Sequence, residues 1–112
     1  MEHHVLLYEV VENFVERRTP YREEHLRLAH EAHARRELLL AGALGDPVDR
    51  ALLVFRADRA TAEAFARNDP YVRGGLVRRW EVQPWAVVVG QQSDGRPAST
   101  RGPARPSAGG LP

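Results

Sequence analysis

Two apolar runs, LLLAGAL at Leu38–Leu44 and ALLVFR at Ala51–Arg56, stand six residues apart across a Gly45–Asp46–Pro47 turn signal. That spacing predicts an antiparallel hairpin. Both runs are apolar at nearly every position, so both faces of the pair need cover from water. The flanking segments supply it for one face. HVLLYEVV, from His4 to Val11, reads as a first strand, and ENFVERR after it as a loop or short turn. Thr19–Pro20 has the form of an N-cap with proline at the first helical position, and the spacing predicts a helix from Pro20 to about Glu37. Ala60–Arg67 reads as a shorter helix capped by Asp58 or Thr61. It should end at Asn68–Asp69–Pro70–Tyr71, because proline disfavours α geometry in the residue before it. Leu76–Val89 reads as a long last strand, bent at Pro84.

The resulting order, βαββαβ, defines an α+β, ferredoxin-like domain: a four-stranded antiparallel sheet with both helices on one face. The other face stays bare. A second copy stacked sheet on sheet is the simplest cover, so a homodimer is expected. Length points the same way, since 112 residues form one domain with little core to spare.

Charge divides the chain near residue 90. Residues 1–90 hold 13 Arg against 14 acidic side chains, whereas residues 91–112 hold three Arg against Asp94. The later segment has four Gly, four Pro, no aromatic and one Leu, too little apolar surface to offset its ordering entropy, and reads as a disordered tail. The slightly acidic domain carries no basic stripe for phosphates, so no nucleic-acid partner is expected. No apolar run approaches the ~18 residues of a membrane span. The start, MEHHVLLYEVVE, lacks a basic region and a cleavage site, so a cytoplasmic protein away from membranes is expected.

Absent residue types narrow the chemistry further. Cys is missing, which excludes thiolate nucleophiles and cysteine-held metals. All 16 basic residues are Arg, so Schiff-base and P-loop lysine chemistry are excluded as well. The three serines lie at 93, 99 and 107, beyond the expected domain, which argues against a serine nucleophile.

His25 then stands out. Placed at ~100° steps, the first helix gathers Tyr21, His25, Leu28, Ala29, Ala32 and Leu39 into one stripe facing the sheet. An imidazole there is either a core histidine bonded to a strand carbonyl or a general base lining a pocket. Asp69 is either an Asx turn before proline or the carboxylate that fixes the His25 tautomer. Arg22 flanks the same stripe and could clamp an anionic substrate or form a surface ion pair. His30 and His33 have a metal-compatible spacing but no third ligand nearby, and read as a solvated pair; no metal is expected. Trp80 and Trp85 fall on opposite faces of the last strand, one towards the core and one towards the dimer interface.

R-x-x-H-L at Arg22–Leu26, LLLAGAL at 38–44 and DPYVRGGLVRRWEVQPW at 69–85 resemble the YciI-like, YCII-related family over about residues 4–90. The resemblance implies a dimeric α/β barrel of ferredoxin-like subunits and a His–Asp dyad between helix and sheet, with His25 and Asp69 at the matching positions. It further implies cofactor-free proton transfer on small oxygenated rings. The combined expectation is a cofactor-independent lyase, isomerase or hydrolase acting on a small-molecule substrate. His25 is its general base or acid, Asp69 orients His25, and Arg22 and Tyr71 hold the substrate. The alternative is a non-catalytic dimeric module that binds a small molecule or a protein, with His25 structural.

Overall fold

The computed structural model describes residues 2–90, so the expected tail at 91–112 lies outside the described residues. The elements are β1 (His4–Val10), α1 (Phe14–Arg17), α2 (Thr19–Ala34), β2 (Leu38–Leu44), β3 (Arg50–Phe55), α3 (Arg59–Asn68), α4 (Pro70–Arg73) and β4 (Val77–Pro84). The sheet order is β2-β3-β1-β4, with every neighbouring pair antiparallel. This is the α+β, four-stranded architecture that the segment order implies.

Register sorts side chains into rows. Leu6, Leu53, Ala41 and Val82 stand opposite one another, as do Tyr8, Ala51, Ala43 and Trp80, and both rows face the helices. The helices meet them with small residues: Ala29 and Ala32 on α2, Ala62 and Ala66 on α3, all buried. Alanine lets the helix backbones come close, so the bulk of the core comes from the strands, where Leu6, Tyr8, Leu53 and Phe55 are almost fully enclosed. Each such aliphatic or aromatic side chain stabilises the fold by roughly 1.5–3 kcal/mol.

Four boundaries differ from the sequence expectation. The segment after β1 contains a helical turn, α1, whose Phe14 is buried in the core. Because α1 runs directly into α2, Arg18 serves both as the C-cap of one and the N-cap of the other, and Thr19 makes no cap. The helix α2 stops at Ala34, where Arg36 takes a positive φ of 69° and His33 Nδ1 lies 2.7 Å from the Leu38 carbonyl. His33 thus ties α2 to β2 instead of forming a solvated pair with His30. The strand β4 stops at Pro84, which brings no N–H to the ladder, and beyond it Trp85 N–H donates to the His3 carbonyl at 3.0 Å. At the start of α3 the cap is Asp58, which accepts from Thr61 N–H at 2.9 Å and from its hydroxyl at 2.7 Å.

The second face of the sheet carries Val5, Leu7, Leu40, Leu44, Leu52 and Val54, bordered by Glu9, Arg79, Glu81 and Gln83. Leu40 is 71% exposed there. Trp80 packs partly against the core, while Trp85 is exposed. No helix among the described residues is long and apolar enough to cross a membrane.

Gly45 fixes the β2–β3 turn. Its φ is +97°, and a Cβ would come 2.6 Å from Asp49 Oδ1 and 2.8 Å from the Pro47 carbonyl. Gly45→Ala should therefore cost about 1–3 kcal/mol through backbone strain and the clash. Chemical denaturation checks it; unchanged stability would show that the turn relaxes freely.

Candidate active site

The chain turns sharply between α3 and α4, and Asp69 makes that turn. Its backbone is extended (φ −73°, ψ 123°), Pro70 follows, and its Oδ1 accepts the Tyr71 N–H at 3.0 Å as the cap of α4. The same Oδ1 lies 2.8 Å from His25 Nδ1, and Oδ2 accepts the Tyr8 hydroxyl at 2.6 Å. The turn role and the histidine contact are therefore not alternatives, since one carboxylate performs both.

Asp69 is wholly buried. An isolated carboxylate at such depth would be strongly disfavoured, and the three donors converging on it compensate. An ionised carboxylate can only accept, so the contact places a proton on His25 Nδ1, and in the neutral imidazole Nε2 then carries the lone pair. Packing holds the ring in place. It stacks on Tyr71 at a centroid distance of 3.9 Å and 13° between planes, and meets Phe65 edge-on at 6.3 Å. Phe14 in turn supports Tyr71 edge-on at 5.2 Å. The His25 side chain keeps 12% of its surface accessible, so it is neither sealed in the core nor free in solvent.

That accessible part opens on a cavity of about 310 Å³ lined by Tyr8, Arg18, Arg22, His25, Tyr71 and the apolar walls of Leu26, Ala29 and Leu53. Its floor includes Ala41, Gly42, Ala43 and Ala51. Small residues at the sheet edge leave the space that larger ones would fill. A larger depression of about 630 Å³ lies near the β2–β3 turn, away from His25 and Asp69.

Burial first, and then the Asp69 charge and hydrogen bond, push the Tyr8 phenol far above its ordinary value of 10.0. Tyr8 therefore remains a donor to Asp69 throughout the physiological range. Burial also raises Tyr71, against an opposing pull from Arg18 and Arg22. The Tyr71 hydroxyl is buried with no partner at hydrogen-bonding distance and geometry.

All four residues expected from sequence, His25, Asp69, Arg22 and Tyr71, come to this one place. Tyr8 and Arg18 were not expected. Tyr8 had a signal: the alternation His4, Leu6, Tyr8, Val10 turns its hydroxyl inward, where it needs an acceptor. Arg18 had none, because its position depends on the α1–α2 junction. His30 lies exposed on α2 away from the cavity. No cluster of three or more His, Asp or Glu able to hold a metal occurs among the described residues.

Fold and site together define a ferredoxin-like α+β domain with a buried carboxylate–imidazole pair beside an open cavity. The chain belongs to the YCII-related domain family, whose model matches residues 1–86. Among solved structures it is similar to 5-chloro-2-hydroxyhydroquinone dehydrochlorinase from Burkholderia phenoliruptrix AC1100, in complex with 2,5-dihydroxybenzoquinone. That match has a TM-score of 0.62 and 17% identity, and covers 75% of this chain and 93% of that one. A protein from Agrobacterium tumefaciens matches with a TM-score of 0.53 and 13% identity, over 79% and 94% of the two chains. At these identities the likeness is one of fold. No curated protein matches significantly.

The raised Tyr8 gives a signed pH dependence. Its folded pKa lies above the unfolded one, so the contribution to stability is complete below about pH 10 and declines as pH rises beyond that. Urea denaturation between pH 8 and 11 should show stability falling with pH, with a shallower slope in Tyr8→Phe. The same variant should lose about 1–3 kcal/mol at neutral pH, because Asp69 loses one donor. Equal slopes would remove Tyr8 from the linkage.

Proposed function

We propose that this protein is a cofactor-independent enzyme that moves a proton on a small oxygenated substrate held in the His25 cavity, in lyase, isomerase or hydrolase chemistry. The observation that carries the reading is the 2.8 Å contact between His25 Nδ1 and the buried Asp69 carboxylate. With Nδ1 engaged, Nε2 is the nitrogen left to take or give a proton, and Asp69 stabilises the imidazolium formed in the transfer. Among the described residues only Nδ1 of His25 has a protein partner, and the ring lines the cavity, which leaves Nε2 available to a ligand there. Arg22 and Tyr71 hold the substrate beside the imidazole. The similar dehydrochlorinase acts on a chlorinated hydroxyhydroquinone, and phenolic rings of that kind lose a proton and then a leaving group in the manner a His–Asp pair assists.

The same reading includes a homodimer through the second sheet face, where Leu40, Leu44 and Leu52 would be covered. Residues 1–90 form the functional domain.

Chlorinated hydroxyhydroquinones and small lactones form the first substrate panel, read by ultraviolet absorbance and chloride release. His25→Asn should lower kcat on a turned-over compound by about 10²–10⁴-fold, the usual range for general acid–base groups. Asp69→Asn should lower it with less effect on KM. Undiminished turnover in His25→Asn would sink the proposal. Separately, Leu40→Glu should shift sedimentation from dimer to monomer; a wild-type monomer would refute the dimer.

A further inference from the structure

Two arginines beside the cavity have no carboxylate partner among the described residues, and a buried tyrosine hydroxyl near them has no acceptor. Tyr71 is only 4% exposed, and its hydroxyl, which interacts with the Arg22 guanidinium, makes no hydrogen bond of ordinary geometry and has no acceptor for its own proton. A buried donor left in this way costs about 1–3 kcal/mol unless something from outside the fold accepts from it. Arg27, Arg35 and Arg79 are neutralised by nearby glutamates, whereas Arg18 and Arg22 are the arginines that line this cavity. Among the described residues neither Arg18 nor Arg22 forms an ion pair. No carboxylate is among the residues lining the cavity, and Asp69 behind His25 is engaged by Tyr8, His25 and the Tyr71 N–H. Arg18 is also held, with its guanidinium 5.5 Å from the centre of the Phe14 ring.

We propose that Arg18, Arg22 and the Tyr71 hydroxyl form a carboxylate-binding subsite, and that the natural ligand is a small flat ring acid whose ring lies over the alanine floor of β2 and β3. This rests on the cavity being the binding site of the function proposed above and names the class of molecule it takes. Two cationic forks and a neutral hydroxyl donor suit a planar two-oxygen anion, which guanidinium groups bind side-on. The cavity, about 310 Å³, lies at the small end of ligand pockets, which span ~300–1,000 Å³. Its walls of Leu26, Ala29, Ala51 and Leu53 suit a single apolar ring rather than a sugar or a nucleotide. The raised Tyr71 phenol keeps its proton and so remains a donor to the anion.

Isothermal titration with benzoate, its neutral isostere benzamide, and inorganic phosphate tests this on the full chain. Benzoate should bind saturably and at least tenfold more tightly than either of the others. Arg22→Gln and Arg18→Gln should each weaken benzoate about tenfold and leave benzamide unchanged, and Tyr71→Phe should weaken benzoate severalfold. Thermal melts establish that each variant is folded; if Arg18→Gln is not, the Arg22→Gln and Tyr71→Phe titrations decide. Benzamide or phosphate binding as well as benzoate, no saturable benzoate binding, or indifference to these substitutions would overturn the assignment. His25→Asn separates this from the proposed chemistry. Arginine-dependent benzoate binding beside His25-independent turnover would refute the proton-transfer reading and leave the subsite standing.

Discussion

A carboxylate with no exposed surface, Asp69, organises the site half of this domain. It can remain charged there only if donors surround it. Those donors come from three separate parts of the chain: the β1 phenol of Tyr8, the α2 imidazole of His25 and the first turn of α4 through the Tyr71 N–H. Satisfying one buried charge therefore fixes the α3–α4 turn, the rotation of α2 about its axis and the tautomer of His25 together. The Tyr71 ring, set by the same turn, then stacks on the imidazole it helps to position.

The cavity has a separate cause in residue size. The edge strand β2 reads Leu-Leu-Leu-Ala-Gly-Ala-Leu, and the small residues at 41–43 fall beside Tyr8 and His25. Larger side chains at Ala41 and Ala43 would fill the space over the sheet beneath Leu26 and Ala29. The alanine-faced helices α2 and α3 pack closely where the core must be dense, while the alanine-rich strand leaves room beneath the α2 residues Arg22, His25 and Leu26. One residue type thus serves packing and access, depending on what stands opposite it.

The fold was legible because short apolar runs of strand length, a proline-started helix and the Gly45–Asp46–Pro47 turn all act locally. His25 and Asp69 were legible as individuals, the first as an ionisable group on an apolar stripe, the second as a carboxylate before proline. Their contact was not, because it joins residues 44 positions apart and depends on how far α2 rotates as it docks. The family resemblance, not the periodicity, placed them together. Tyr8 could have been found from strand alternation and the need of a buried phenol for an acceptor. The α1 turn and Arg18 could not, since ENFVERR has weak helical character and forms its turn because Phe14 enters the core. The end of β4 at Pro84 is a matter of missing partners, since WAVVV has strand composition but extends beyond the pairing that β1 provides.

The central claim, that Asp69 fixes the His25 proton on Nδ1 and leaves Nε2 to face the cavity, has a direct spectroscopic test. Long-range proton–nitrogen correlation NMR on ¹⁵N-labelled protein identifies which ring nitrogen bears the proton in the neutral imidazole. His25 should show the Nδ1–H tautomer in the wild type, and Asp69→Ala should release it to the tautomer mixture of a free histidine. An Nε2–H tautomer in the wild type, or a pattern unchanged by Asp69→Ala, would contradict the claim.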